Sequence, residues 1–270
     1  MDGLYLYCVR DKTEGDNIFP IKGIDGHGDV FTLSFCEFEV VVSGVSLQEF
    51  ESEAIKIKAQ EDLNWIKEKA VIHERVIEQA MIKDNKNLGL IPMGFGTIFK
   101  EEASLRETLD KNHEKIKHVL DNIRGKQEWG VKVYLNDKKI FEKNIKEKSE
   151  VLREKEREMA SLPEGMAFFM EEELKEMIDK EKNEELNNIT GFFFEILRKH
   201  AVDSAKNKLL EKELTGISKP MVLNAAYLIS DEKKEGFTNE AERLKLEIKA
   251  EGFGLEYSGP WPAYNFTKFL

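Results

Sequence analysis

The sequence predicts an α+β protein built from two domains, and three observations carry that reading. At 270 residues the chain exceeds the usual size of one domain, so two cores are expected. Strand-like apolar runs open both halves, at Gly3 to Val9 and at Glu128 to Leu135, and each gives way to stretches of helical period. Gly125 stops the helical run between them and places the boundary there. Residues 1–124 are expected to form an N-terminal domain with a small mixed sheet and helices, residues 125–258 a C-terminal domain, and residues 259–270 a tail.

Gly3 to Val9 is rich in β-branched and aromatic residues and reads as the first strand. After a loop carrying Gly23, Gly26 and Gly28, the runs Val30 to Phe35 and Phe38 to Ser43 read as a hairpin. In its second arm Phe38, Val40 and Val42 alternate with Glu39, Val41 and Ser43. Both sets are mostly apolar, so the sheet is expected to be covered at least partly on both faces. From Leu47 the period turns helical, and Leu63, Ile66, Ala70, His73, Ile77 and Met81 line one face of a helix that Asn85 and Gly89 end. A short apolar stretch runs into Pro92, and Phe95 to Phe99 reads as a strand or strand-like turn. A further helix spans Glu101 to Ile123 and buries Leu105, Leu109, Ile116, Val119 and Leu120.

The second half opens on a strand with Trp129, Val131, Val133 and Leu135 on one face. Between Asp137 and Glu158, charged residues surround a seam of Phe141, Ile145 and Leu152 that continues to Met159. The seam predicts a solvated helix with one face on the core, since a dimerising coiled coil needs about three to four clean heptads. Pro163 and Gly165 break the run, and a second helical stretch covers about Phe168 to Leu214, with an interruption near Asn187 and Asn188. Val222 to Ser230 is a strand, Glu235 to Ala250 a helix with Ala241, Leu244 and Ile248 inward, and Phe253 to Tyr257 a closing strand. Strand, helices, strand, helix, strand predicts a ferredoxin-like split βαβ plan with an extended helical insertion in the first crossover; Leu214 to Ile217 is the candidate for its missing strand. The tail carries Trp261, Tyr264, Phe266 and Phe269 and is expected to dock on the body. Its first three rings would contribute roughly 1.5–3 kcal/mol each if buried.

Composition excludes several functions. Lys plus Arg number 41 against 52 Asp plus Glu, for a net charge of −11 at pH 7, and that field repels phosphate backbones and anionic lipid. Neither nucleic acid nor a membrane is expected as a partner. No run approaches the roughly 18 apolar residues of a spanning helix, and the opening residues lack the basic region of a signal peptide. Cys8 and Cys36 are the only cysteines, too few for a disulfide framework or a four-thiolate zinc site, so a reducing cytoplasm is the expected compartment.

A search for chemistry finds no catalytic residue, cofactor site or metal site to commit to. His113 and His118 are five apart, off the i, i+4 spacing that sets two imidazoles on one helix face. His73 lies within an apolar stripe and is expected to be a structural, hydrogen-bonded core histidine. The segment Gly94-Phe95-Gly96-Thr97-Ile98-Phe99 has Phe99 where a dinucleotide fingerprint needs its third glycine. Asp25 to Asp29 lacks the spaced ligands of a calcium loop, and Gly125-Lys126 lacks the flanking residues of a phosphate loop.

Several segments, taken in order, resemble the gas vesicle protein F/L family of accessory proteins over nearly the whole chain. They are Leu4-Tyr5-Leu6-Tyr7, Gly23-Ile24-Asp25-Gly26, Val40-Val41-Val42-Ser43, His73-Glu74 and Pro92-Met93-Gly94-Phe95-Gly96-Thr97-Ile98-Phe99. The second half adds Gly125-Lys126-Gln127-Glu128-Trp129-Gly130-Val131-Lys132-Val133 and Asn224-Ala225-Ala226-Tyr227-Leu228-Ile229. The most specific is Gly259-Pro260-Trp261-Pro262-Ala263-Tyr264-Asn265-Phe266. One departure is Gly94, where the family often has a basic residue.

The resemblance implies a non-enzymatic, cytoplasmic role in building gas vesicles, the hollow protein shells that give buoyancy, with contacts to the main shell protein and to other accessory proteins. It also implies two α+β domains, the second ferredoxin-like, in a chain expected to be monomeric in isolation. Partner binding is expected at a strand edge or face around Phe95, Gly96, Thr97 and Phe99. His73, Pro92, Trp129, Pro260, Trp261, Pro262 and Tyr264 are expected to be structural anchors. The alternative is an enzyme or small-ligand sensor with an inter-domain pocket, which would need perturbed titratable groups in a cleft.

Overall fold

The computed structural model describes residues 3–14, 18–50, 52–83, 86–160, 164–212 and 216–267. They fall into two compact units, one made of residues 1–128 and 260–270 and the other of 129–259. Both mix helices with sheets whose recorded pairings are antiparallel. No helix among the described residues is long and apolar enough to cross a membrane.

The first unit is organised by β1 (Gly3–Asp11). Its aromatic and β-branched residues are buried almost without interruption, as expected of a central strand covered on both faces. It pairs along one edge with β4 (Phe38–Val45), every residue of which is buried. Beyond β4 lie β3 (Asp29–Phe35) and β2 (Ile18–Lys22). The other edge of β1 is shared by β7 (Leu90–Pro92), which pairs with Cys8 to Arg10, and β8 (Ile98–Phe99), which pairs with Leu4 and Tyr5. A bulge between Leu6 and Cys8 leaves Tyr7 without an opposite residue on β4, so Tyr7 and Cys8 both reach the same core. A small ladder of β5 (Ile82–Lys83) and β6 (Lys86–Asn87) lies apart from this sheet.

Helices α1 (Leu47–Phe50), α2 (Ser52–Glu61) and α3 (Leu63–Met81) follow the hairpin. Asp62 caps α3, its Oδ1 accepting from the backbone N–H of Asn64 and Trp65 at 3.0 Å each. His73, Val76, Ile77, Ala80 and Met81 of α3 are buried, but Leu63, expected in the same stripe, is 66% exposed on the first turn. Lys69 is buried instead, its ammonium 5.8 Å from the ring centre of Phe50 and 6.0 Å from that of Trp65. The single helix expected over 101–123 is two, α4 (Glu102–Lys111) and α5 (His113–Ile123), because Asn112 leaves helical geometry at φ −107, ψ 7. Asn85, expected to end α3, lies outside the described residues.

In the second unit β9 (Lys126–Leu135), β10 (Asp203–Lys206), β11 (Met221–Ser230) and β12 (Phe253–Trp261) form a sheet in the order β10-β11-β9-β12. Val131 and Val133, with Leu223, Ala225, Tyr227 and Ile229, all join one core, the period-two signature of a sheet face. Phe141, Ile145, Phe193, Leu197, Phe237, Ala241, Leu244 and Ile248 cover it. These come from α6 (Lys138–Lys148), α8 (Glu164–Arg198) and α9 (Lys234–Glu247) with the short turn of helix that follows α9. Gly252 closes that turn at φ 88, where a Cβ would come within 2.6 Å of the Asp137 carbonyl oxygen.

Three expectations are corrected here. The helix expected over 137–158 is two, α6 and α7 (Glu150–Ala160), separated where Ser149 turns to extended geometry at φ −80, ψ 114. The next helix runs unbroken through Asn187 and Asn188 and ends at Arg198, well short of Leu214, with Gly165 inside it. The fourth strand is therefore Asp203–Lys206 and not the segment around Ile217, which is in no strand. Pro163 and Leu214, named in those expectations, lie outside the described residues.

Candidate functional site

Tyr5 and Tyr7 sit two apart on β1 and send their rings into the same core, 4.8 Å between centroids. Helix α3 delivers His73 and Glu74, the 93–99 turn delivers Phe95 and Gly96, and the tail delivers Tyr264. The sequence-predicted residues His73, Phe95, Gly96 and Tyr264 thus meet around Tyr5. Its hydroxyl accepts from the Gly96 N–H at 2.9 Å and lies 3.0 Å from His73 Nδ1. His73 Nε2 is 3.2 Å from the Met93 carbonyl. A carbonyl can only accept, so Nε2 carries the proton and the Tyr5 hydroxyl donates to Nδ1.

Gly96 stands at φ 83, a left-handed geometry that glycine takes without strain and that turns its N–H to Tyr5. Thr97 donates its hydroxyl to the Gly94 carbonyl at 2.7 Å, and its own carbonyl accepts from Leu6 N at 2.9 Å. Phe95 stacks edge-on against His73 and Tyr5, at 5.8 and 6.4 Å. Phe95, Ile98 and Phe99 are half-buried, and Gly94 is exposed.

The tail is held at two points. Tyr264 donates its hydroxyl to Glu74 Oε1 at 2.8 Å, and Asn265 donates its backbone and side-chain N–H to the two carboxylate oxygens of Glu128, at 2.9 and 2.6 Å. Pro262 and Ala263 are buried. Trp261, expected to be buried with them, is 42% exposed at the last position of β12. Pro260 is half-buried, and Pro92 is buried opposite Cys8 in β7. Trp129 belongs to the core of the second unit, 6.0 Å from Phe237 and 6.1 Å from Tyr257.

Burial sets the charge state of this clasp. Burial lowers the His73 pKa to about 4, so at neutral pH the imidazole is uncharged with both nitrogens engaged. Burial likewise raises Tyr7 to about 12 and the Cys8 thiol to about 12, and lifts Tyr5 and Tyr264 well above the ordinary phenol. The Glu74 carboxyl is raised by burial, against the pull of the Tyr264 hydroxyl. With both imidazole nitrogens hydrogen-bonded, His73 fixes the Tyr5 ring and the Met93 carbonyl to helix α3. Tyr264→Phe is expected to destabilise the protein by about 1–3 kcal/mol by leaving Glu74 without its donor. Urea unfolding reads this directly, and an unchanged midpoint would show the tail contact to be idle.

Comparison with known proteins places the whole chain. The family described as "Gas vesicle synthesis protein GvpL/GvpF" matches residues 3–268. The chain is 26% identical to Gas vesicle protein L1 of Halobacterium salinarum, covering 98% of this chain and 90% of that protein. It is 21% identical to Gas vesicle protein F1 of the same organism, covering 98% and 93%. Its fold is shared with the crystal structure of the gas vesicle protein GvpF from Anabaena sp. PCC7120, at a TM-score of 0.77 and 19% identity over the full length of both chains. The crystal structure of GvpF from Microcystis aeruginosa follows at 0.69 and 18%, again over both full lengths.

Proposed function

Because the chain belongs to the gas vesicle synthesis protein GvpL/GvpF family, we propose that it is a non-enzymatic accessory protein of gas vesicle assembly that binds the main shell protein and other accessory proteins. Its place is then the cytoplasm and the growing vesicle, in a chaperone-like or minor structural role. Shell subunits that line a gas space must present large apolar faces, and such faces and strand edges aggregate unless covered. An acidic cover of net charge −11 keeps such a complex dispersed.

The observation that carries this reading is the presentation of residues 94–99. The clasp fixes the turn from below through Gly96 and Thr97, while the half-buried Phe95, Ile98 and Phe99 lie at a two-residue strand whose recorded partner among the described residues is β1. A further chain can add there by main-chain hydrogen bonds, with Phe99 as an apolar anchor. We also assign residues 1–124 and 125–258 to separate domains, the second a ferredoxin-like fold with helices α6 to α8 inserted in its first crossover. The order of its elements and the strand order β10-β11-β9-β12 support that assignment.

The test is capture of the main shell protein by the full-length chain. Phe99→Glu is expected to weaken capture at least tenfold without changing the melting curve, whereas His73→Gln, which keeps the clasp's hydrogen bonds, leaves capture intact. Capture that is indifferent to Phe99→Glu moves the surface elsewhere, and a wild-type chain that captures no shell protein removes the proposal.

A further inference from the structure

We propose that Cys36, Glu37 and His113 form a binding site for a borderline-soft divalent cation of the zinc type. Sequence spacing gave no hint of it, since Cys36 and Glu37 form the two-residue tip of the β3–β4 hairpin while His113 opens α5. The structure brings one ligand atom from each within 4.8 Å of the others. In a tetrahedral zinc site the ligand atoms stand roughly 3.3–3.7 Å apart, so a turn of the exposed Cys36 and Glu37 side chains closes the set.

Two features of the local build favour a ligand. Cys36 takes φ 49, at the first central residue of a two-residue hairpin turn, a place such turns usually give to glycine. A cysteine held in left-handed geometry costs stability and places its thiol beside Glu37 and His113. His113 is oriented from behind: Glu114 Oε1 lies 3.2 Å from Nδ1, and the rings of Phe38 and Phe35 lie 5.7 and 6.5 Å away, while Nε2 points to Glu37 Oε2 at 2.9 Å. A carboxylate on the far imidazole nitrogen is the usual companion of a metal-bound histidine.

The ligand chemistry selects the ion. Thiolate and imidazole disfavour magnesium and calcium, and three protein ligands leave a fourth position for water. Lys117, whose ammonium is 3.8 Å from Glu37, is exposed and yields the carboxylate to the stronger charge. The thiol releases its proton on binding. Bound metal ties the hairpin tip to the start of α5.

The test uses the full-length protein, fully reduced, titrated with cobalt(II) and then zinc(II). Cobalt should produce a thiolate charge-transfer band and visible bands of tetrahedral coordination, both displaced by zinc. Zinc should also shield Cys36 from a thiol reagent; Cys8 is buried and stays silent in the folded protein. Cys36→Ser should abolish the charge-transfer band, His113→Gln should abolish the shielding, and Glu114→Gln should weaken metal affinity roughly 10–100-fold while leaving the band's shape unchanged. These side chains are not core residues, so metal-free melting curves should match across the set. No band in the wild type, a band that survives Cys36→Ser, or equal shielding in His113→Gln would each overturn the site.

Discussion

Replacing Arg10 by Met is expected to destabilise the protein by about 3–5 kcal/mol, the largest single effect the structure predicts. Arg10 and Glu39 sit opposite each other on β1 and β4 with their side chains only 5% and 1% exposed. The guanidinium donates from Nε to Glu39 Oε1 at 2.9 Å and from Nη1 to the Ala80 carbonyl at 2.8 Å. It also lies 5.1 Å from the ring centre of Phe19. The substitution removes the side-chain cation recorded on Glu39 among the described residues and leaves that buried carboxylate with the Thr13 hydroxyl, 3.1 Å from Oε1, as a neutral donor. At roughly 2–4 °C per kcal/mol for a unit near this size, the melting temperature should fall about 6–20 °C. The double variant Arg10→Met, Glu39→Leu should recover most of the loss, because an apolar pair can replace a buried ion pair at little cost. A single variant that loses less than about 1 kcal/mol, as an exposed pair would, refutes the account.

The second large effect is a pH dependence centred on His73. Burial lowers its pKa from the ordinary 6.5 to about 4 in the folded chain. Between these values the unfolded chain binds a proton that the folded chain refuses, so stability falls as pH falls. The contribution is complete above 6.5 and lost progressively down to about pH 4, on the order of 3 kcal/mol in all. Glu74 works in the other direction, since its raised pKa lets the folded chain take up a proton first. The stability difference between wild type and His73→Gln isolates the histidine. That difference should shrink by about 3 kcal/mol between pH 7.5 and pH 4, and a flat one would mean the imidazole is not held neutral.

Helix and strand identity were largely legible in the sequence where one period governs a whole element. The apolar runs of β1, β4, β9 and β11 are of this kind, as is the inward face of α3 from His73 to Met81. Breaks between helices were not legible, because the apolar period carries on past Asn112 and Ser149 while the backbone does not. Strand β2 was missed because Pro20 and the closing Lys22 hide a short edge strand. Lys69 reads as a solvent residue until Phe50 and Trp65, whose rings stand 5.7 Å apart, give its stem and ammonium a surface. The clasp shows the limit most plainly. His73 was legible as an inward residue, but its partners Tyr5 and Tyr264 lie 68 and 191 residues away, a separation that periodicity carries no information about. Cys36 and His113 escaped for the same reason.

The first unit is completed by residues 260–267, which follow the whole of the second unit in the chain. During translation, Glu74 and the 94–99 turn therefore emerge and begin to fold long before Tyr264 exists. At roughly 5–20 residues per second, the ribosome needs on the order of ten seconds to make the intervening segment. Throughout that interval Glu74 lacks its phenol donor. A prematurely terminated chain never gains that donor, so closure by Tyr264 onto Glu74 becomes a late checkpoint that separates finished molecules from fragments.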